Sequence, residues 1–121
     1  MVDINQLKQL RKAALKVAAK DTAYLPEEYK KSRLSPLHGH CGCVSWLVMK
    51  LYGGTIVTGK VNGTRHYWNR LPDGKEVDLT SCQFGGDGLQ PLVKGRKVPR
   101  KLDGLTDIRY LVFYSRIMEI L

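Results

Sequence analysis

Cysteine, histidine and aspartate occur in this chain in an order that suits thiol chemistry: Cys41, His66 and Asp78. Cys41 lies in Gly39-His40-Cys41-Gly42-Cys43, just ahead of Val44, Leu47, Val48 and Leu51, which are apolar and helically spaced, and Gly53-Gly54 stops the run. The pattern predicts a buried helix with Cys41 in its first turn. A helix N-terminus presents unpaired backbone N–H groups and a partial positive charge, which stabilise a thiolate and can hold a developing oxyanion. In that role Cys41 attacks a carbonyl carbon, His66 accepts and returns the proton, and Asp78 holds the histidine tautomer. Gly39 leaves room for a substrate backbone to approach. Each residue also has a plainer reading: Cys41 as a small buried apolar residue, His66 as a satisfied histidine in a packed sheet, Asp78 as a cap on the turn at Leu79-Thr80.

The histidine and the carboxylate must be brought together by strands. Residues 55–61 are β-branched, Asn62-Gly63 is a two-residue turn signal, and residues 64–71 follow as a second strand. Pro72-Asp73-Gly74 suits a three-residue loop, which places Leu71 opposite Lys75, Trp68 opposite Asp78 and His66 opposite Thr80. His66 and Asp78 are then diagonal neighbours on one face, about 7–8 Å apart at the backbone and within side-chain reach. Tyr67, Leu71, Val77 and Leu79 fall on the opposite face, which is available to the core.

The remaining elements frame this centre. Asp3 is the expected N-cap of a first helix over residues 4–20, with Ile4, Leu7, Ala14, Val17 and Ala18, or Leu10 on a neighbouring stripe, facing inward. Its other face carries Lys8, Arg11, Lys12, Lys16 and Lys20. Residues 21–38, bracketing Pro26 and Pro36, read as a connector, and residues 81–103 as an irregular glycine-rich and basic segment. Thr106 or Asp107 caps a last helix to about residue 119, with Ile108, Leu111, Val112, Ser115 and Met118 inward.

At 121 residues and 43% apolar content the chain suits one domain, residues 1–121, of class α+β. It carries no basic-then-apolar leader and no apolar run long enough for a bilayer, so a cytoplasmic protein with no membrane partner is expected. Three cysteines make a poor disulfide framework and predict reduced thiols. Twenty basic against eleven acidic residues give +9, a charge that suits nucleic acid or an acidic protein. The positive charge is spread over residues 8–20, 30–33 and 94–101 with no groove-reading motif. A competing use of the same side chains is a metal site: His38, His40, Cys41 and Cys43 cluster, and His66 and Cys82 lie elsewhere. The one-residue spacings point Cys41 and Cys43 in different directions on a helix, so neither metal nor cofactor is expected.

Gly39-His40-Cys41, Gly53-Gly54, His66-Tyr67-Trp68-Asn69-Arg70-Leu71, Asp73-Gly74, Asp78-Leu79-Thr80 with Gln83-Phe84, and the closing Arg109-Tyr110 helix resemble the YunG-like family of small bacterial and phage proteins. The resemblance spans most of the chain. It implies a papain-like or transglutaminase-like core, with Cys41, His66 and Asp78 as the catalytic set and His40, Trp68 and Asn69 as candidate oxyanion or substrate contacts. This chain departs from the family pattern in having His40 where glutamine usually precedes the cysteine, and Cys43 where an aliphatic residue is usual. The expected activity is hydrolysis or acyl transfer at an amide, peptide or thioester bond in a protein or small molecule. The alternatives are a catalytically idle binding protein of the same fold, using its basic surface, and a small metal-binding protein.

Overall fold

In the computed structural model, residues 3–23, 37, 39–93, 96–97 and 108–121 are described. The first helix, α1 (Ile4–Val17), begins where the sequence places its cap: Asp3 accepts a hydrogen bond from Asn5 N at 2.9 Å, and Gln6 Oε1 accepts one from Asp3 N at 3.1 Å, a capping box. It ends three residues earlier than expected, because Ala18 turns to an extended conformation and a 3₁₀ turn at Lys20–Thr22 follows. Leu7, Leu10, Ala13 and Ala14 are buried, whereas Ile4 is exposed, so the helix is rolled toward the leucine–alanine stripe. The lysines at 8, 12 and 16 face outward.

Helix α2 (Cys41–Tyr52) starts at the cysteine and ends at Gly53, whose N–H bonds Met49 O at 2.9 Å. Six consecutive residues, Cys43 to Val48, are buried, which marks α2 as the central helix with partners all round. Helix α3 (Ile108–Ile120) packs on α1 and α2. Its inward stripe is Tyr110, Phe113 and Ile117, with Tyr114 beside it, and not the expected Ile108, Leu111, Val112, Ser115 and Met118, of which Ile108 and Leu111 are 68% and 45% exposed. Both stripes have helical spacing. The aromatic one wins because it buries more area and packs ring against ring: Trp46 lies 5.8 Å from Tyr110 and 5.9 Å from Tyr114. The expected caps at residues 106 and 107 lie outside the described residues.

Strands β1 (Thr55–Val61), β2 (Thr64–Arg70), β3 (Glu76–Val77) and β4 (Arg96–Lys97) form an antiparallel sheet in the order β3-β2-β1-β4. Val61 pairs with Thr64 across Asn62-Gly63, and both turn residues have positive φ (50° and 78°), as a two-residue hairpin of this kind requires. The second loop keeps the expected register: Leu71 N bonds Lys75 O at 2.8 Å, and Asn69 pairs with Val77. The ladder stops there, since Asp78 N turns to Leu89 O at 2.8 Å. Leu71, Val77 and Leu79 join Leu47, Trp46 and Phe113 in the core, on the face expected to pack. The opposite face is also buried, with His66, Trp68, Asp78 and Thr80 all at 2% exposure or less.

Two features of residues 81–103 depart from the irregular reading: a 3₁₀ turn at Ser81–Phe84, and β4, which adds an edge strand to β1. No helix among the described residues is long and apolar enough to cross a membrane. The basic run at 30–33 and the side chains of the run at 94–101 lie outside the described residues.

Candidate active site

Cys41 is the first residue of α2 and is half-buried, with its thiol free. His40 stands in the N-cap position without a side-chain cap, so the first turn keeps its partial positive charge uncompensated by a capping group. The turn is held in place from both sides. Ser45 Oγ donates to Cys41 O at 2.6 Å, and Asn69 Nδ2 on β2 donates to Ser45 O at 2.8 Å, clamping helix to strand. A Cβ built on Gly42 would run into the Tyr110 hydroxyl, so glycine at 42 is what lets α3 approach the cysteine turn.

His66 sits on β2 with its backbone O accepting from Thr58 Oγ1 at 2.8 Å. Its Nε2 donates to Asp78 Oδ2 at 2.7 Å. The other carboxylate oxygen of Asp78 accepts from Thr80 N at 3.1 Å and Thr80 Oγ1 at 3.2 Å. Asp78 therefore both orients the histidine and caps the Leu79-Thr80 turn, one oxygen to each task. The ring of Trp68 stacks on His66 at 5.5 Å and the edge of Phe84 meets it at 4.8 Å, which fixes the imidazole plane.

The remaining ring nitrogen, Nδ1, is buried and has no partner of full hydrogen-bond geometry among the described residues. Cys41 is nonetheless near enough to act on the ring. Burial alone pushes the His66 pKa down; the hydrogen bond to Asp78, then the contact with Cys41 and the charges of both, outweigh it, and the pKa is pushed up from 6.5 to about 9. At neutral pH the ring is an imidazolium with one N–H given to Asp78 and the other unspent.

The three residues singled out for chemistry thus come together, and the three candidate contacts have other attachments. His40 is fully buried, its Nε2 2.6 Å from Thr22 Oγ1 and its ring 5.7 Å from Phe113. Trp68 donates Nε1–H to Glu76 Oε1 at 2.8 Å, and Asn69 serves the clamp to Ser45. Cys43 is buried with its sulfur 3.4 Å from Thr22 O, and Cys82 is half-buried. Among the described residues no three His, Cys, Asp or Glu side chains converge as a metal site; His38 lies outside them.

Sequence reasoning gave no role to Gln83. Its Oε1 accepts from Gly39 N at 3.4 Å, just ahead of Cys41, and its Nε2 is buried without a partner among the described residues. The contact joins positions 44 apart in sequence, and no local pattern announces it.

The family model described as YunG protein matches residues 6–121. Comparison with curated proteins and with solved structures gives no match.

Proposed function

The chain belongs to the YunG protein family, and on the geometry around Cys41 we propose that it is a thiol hydrolase or acyl transferase acting on an amide, peptide or thioester bond. The observation that carries the reading is the buried His66–Asp78 pair, 2.7 Å apart, with the free edge of the imidazole toward a half-buried cysteine at a helix start. Replacing a buried ion pair by well-packed apolar residues is often neutral or stabilising, so packing alone does not account for the pair. A retained, oriented imidazolium beside a thiol is the equipment for nucleophilic catalysis.

In this mechanism the Cys41 sulfur bonds to the acyl carbon. His66 holds the thiol proton on Nδ1 and passes it to the departing amine or thiol, and Asp78 keeps the ring in the tautomer that allows both transfers. Water or a second nucleophile then takes the acyl group from sulfur, with His66 accepting its proton. The chain order, cysteine on a central helix, then histidine on β2 and aspartate just past the end of β3, supports a papain-like or transglutaminase-like core.

Brief iodoacetamide treatment read by mass spectrometry tests this reading. Cys82, half-buried like Cys41, is the fair comparator, whereas Cys43 is shielded by burial. Cys41 should alkylate several-fold faster than Cys82, and His66→Ala should slow Cys41 alone. Equal rates at Cys41 and Cys82 would leave a binding protein of the same fold and no activated thiol.

A further inference from the structure

Gln83 sits in the 3₁₀ turn Ser81–Phe84, 5% exposed, in a loop tied down along its length. Gly88 N donates to Ser81 Oγ at 2.8 Å, Leu89 N to Asp87 Oδ1 at 2.8 Å, and Arg11 Nη1 to Asp87 O at 2.6 Å, which anchors the loop to α1. Gly39 N–H can only donate, so the oxygen of the Gln83 amide must face it, and the NH₂ group is the end left over. That NH₂ nitrogen is buried and unpartnered among the described residues. An unspent amide donor in a buried position is destabilising, so its presence here calls for an acceptor that arrives later. Its surroundings say where. One end of the amide is held by Gly39 beside the cysteine turn, and the next residue, Phe84, lies edge-on to the imidazole of His66.

We propose that Gln83 is a catalytic donor of an oxyanion site: its Nε2–H, with the backbone N–H groups at the start of α2, receives the negative charge on an acyl oxygen when Cys41 attacks. The inference rests on the thiol reading above and extends it to the transition state. A sulfur electron pair forms the S–C bond, the carbonyl π pair moves to oxygen and is held by these donors, and on collapse it returns as the bond to the leaving group breaks. The proton held by His66 goes to that group. The ligand class is therefore a planar acyl group able to become tetrahedral beside sulfur. His40, which precedes the cysteine in sequence, has its Nε2 at Thr22, while Gln83 comes to the same turn from the far side of the chain.

Two reagents on the same thiol separate this role from mere support of the fold. Iodoacetamide alkylates by displacement and forms no oxyanion; p-nitrophenyl acetate acylates through one. Rates of both at Cys41 are measured by mass spectrometry on the full chain, in the parent and in Gln83→Met, which keeps size and loses the donor, with circular dichroism confirming a folded variant. The ratio of acylation to alkylation should fall about 10-fold or more in Gln83→Met, in line with loss of one oxyanion donor. An unchanged ratio in a folded variant overturns the proposal, as does a parent Cys41 that alkylates rapidly yet resists acylation. If Gln83→Met does not fold, Gln83→Asn, which keeps an amide but draws it back by one methylene, must show the same fall in the ratio, and an unchanged ratio overturns the proposal equally. A parent Cys41 no more reactive than Cys82 toward either reagent overturns the thiol reading itself, and this proposal with it.

Discussion

Asp78→Asn is the substitution whose consequences follow most closely from the geometry. The carboxylate supplies the leading favourable influence on a histidine whose pKa is raised from 6.5 to about 9, a differential of roughly 3 kcal/mol in favour of the imidazolium at about 1.4 kcal/mol per pKa unit. Asparagine can keep Oδ1 in its bonds with Thr80 N and Oγ1, so the turn survives. It then turns an NH₂ toward Nε2, which must become the acceptor, and the ring carries its proton on Nδ1, the edge that faces Cys41. Burial is unchanged, so the His66 pKa falls steeply and the ring is neutral and in the wrong tautomer at pH 7. For the parent, the linkage has a definite sign. A histidine with a raised folded-state pKa contributes stability that is fully present below about pH 6.5 and lost as pH rises toward about 9. The parent should therefore melt at lower temperature as pH goes from 6.5 to 9, and Asp78→Asn should flatten that slope, with a stability loss of about 1–3 kcal/mol at pH 6.5 that shrinks at pH 9. Cys41 alkylation at neutral pH should slow in the same variant. Thermal melts and alkylation rates across this pH range are the assay; a variant that melts lower at every pH by the same amount, with parental Cys41 reactivity, would refute the reasoning and leave Asp78 as a turn cap.

Phe113→Ala, which empties a fully buried ring site on α3, should cost about 3–5 kcal/mol in urea unfolding, whereas Leu111→Lys on the exposed stripe of the same helix should stay within about 0.5 kcal/mol. Gly42→Ala should destabilise by about 1–3 kcal/mol because the new methyl meets the Tyr110 hydroxyl, and Tyr110→Phe in the same chain should restore part of the loss, read as a double-mutant cycle. Any binding of nucleic acid by the +9 chain should fall steeply as salt is raised from about 50 to 200 mM and show no sequence preference, measured by fluorescence anisotropy on unrelated oligonucleotides.

What could be read from the sequence was what is local. Asn62-Gly63 and Pro72-Asp73-Gly74 encode loop lengths and backbone signs; the first sets the register of β1 on β2, and the second sets the register that makes His66 and Asp78 neighbours. Asp3 as a cap and Cys41 ahead of Val44 likewise announce helix starts through their own first turns. What stayed hidden depends on distant partners. Helix α3 carries two stripes of equal period, and only the rings of Trp46 and His40 decide which one turns inward. The two residues of β4 have no strand signature apart from the edge of β1 that they pair with. The burial of the His66 face follows from the return of residues 81–84, which lay Phe84 on the imidazole and bring Gln83 to Gly39. From sequence Asp78 reads as either an orienting group or a turn cap, and a carboxylate with two oxygens is both.

In the proposed function Cys41 forms and then releases an acyl group with the help of His66. Intact-mass spectrometry through a time course with a small thioester, S-phenyl thioacetate, tests it most directly. A single acyl adduct should map to Cys41, disappear in water after the reagent is exhausted, never form in Cys41→Ser, and form at least about 10-fold more slowly in His66→Ala. Adducts shared evenly between Cys41 and Cys82, or a Cys41 adduct that forms as fast without His66, would contradict it.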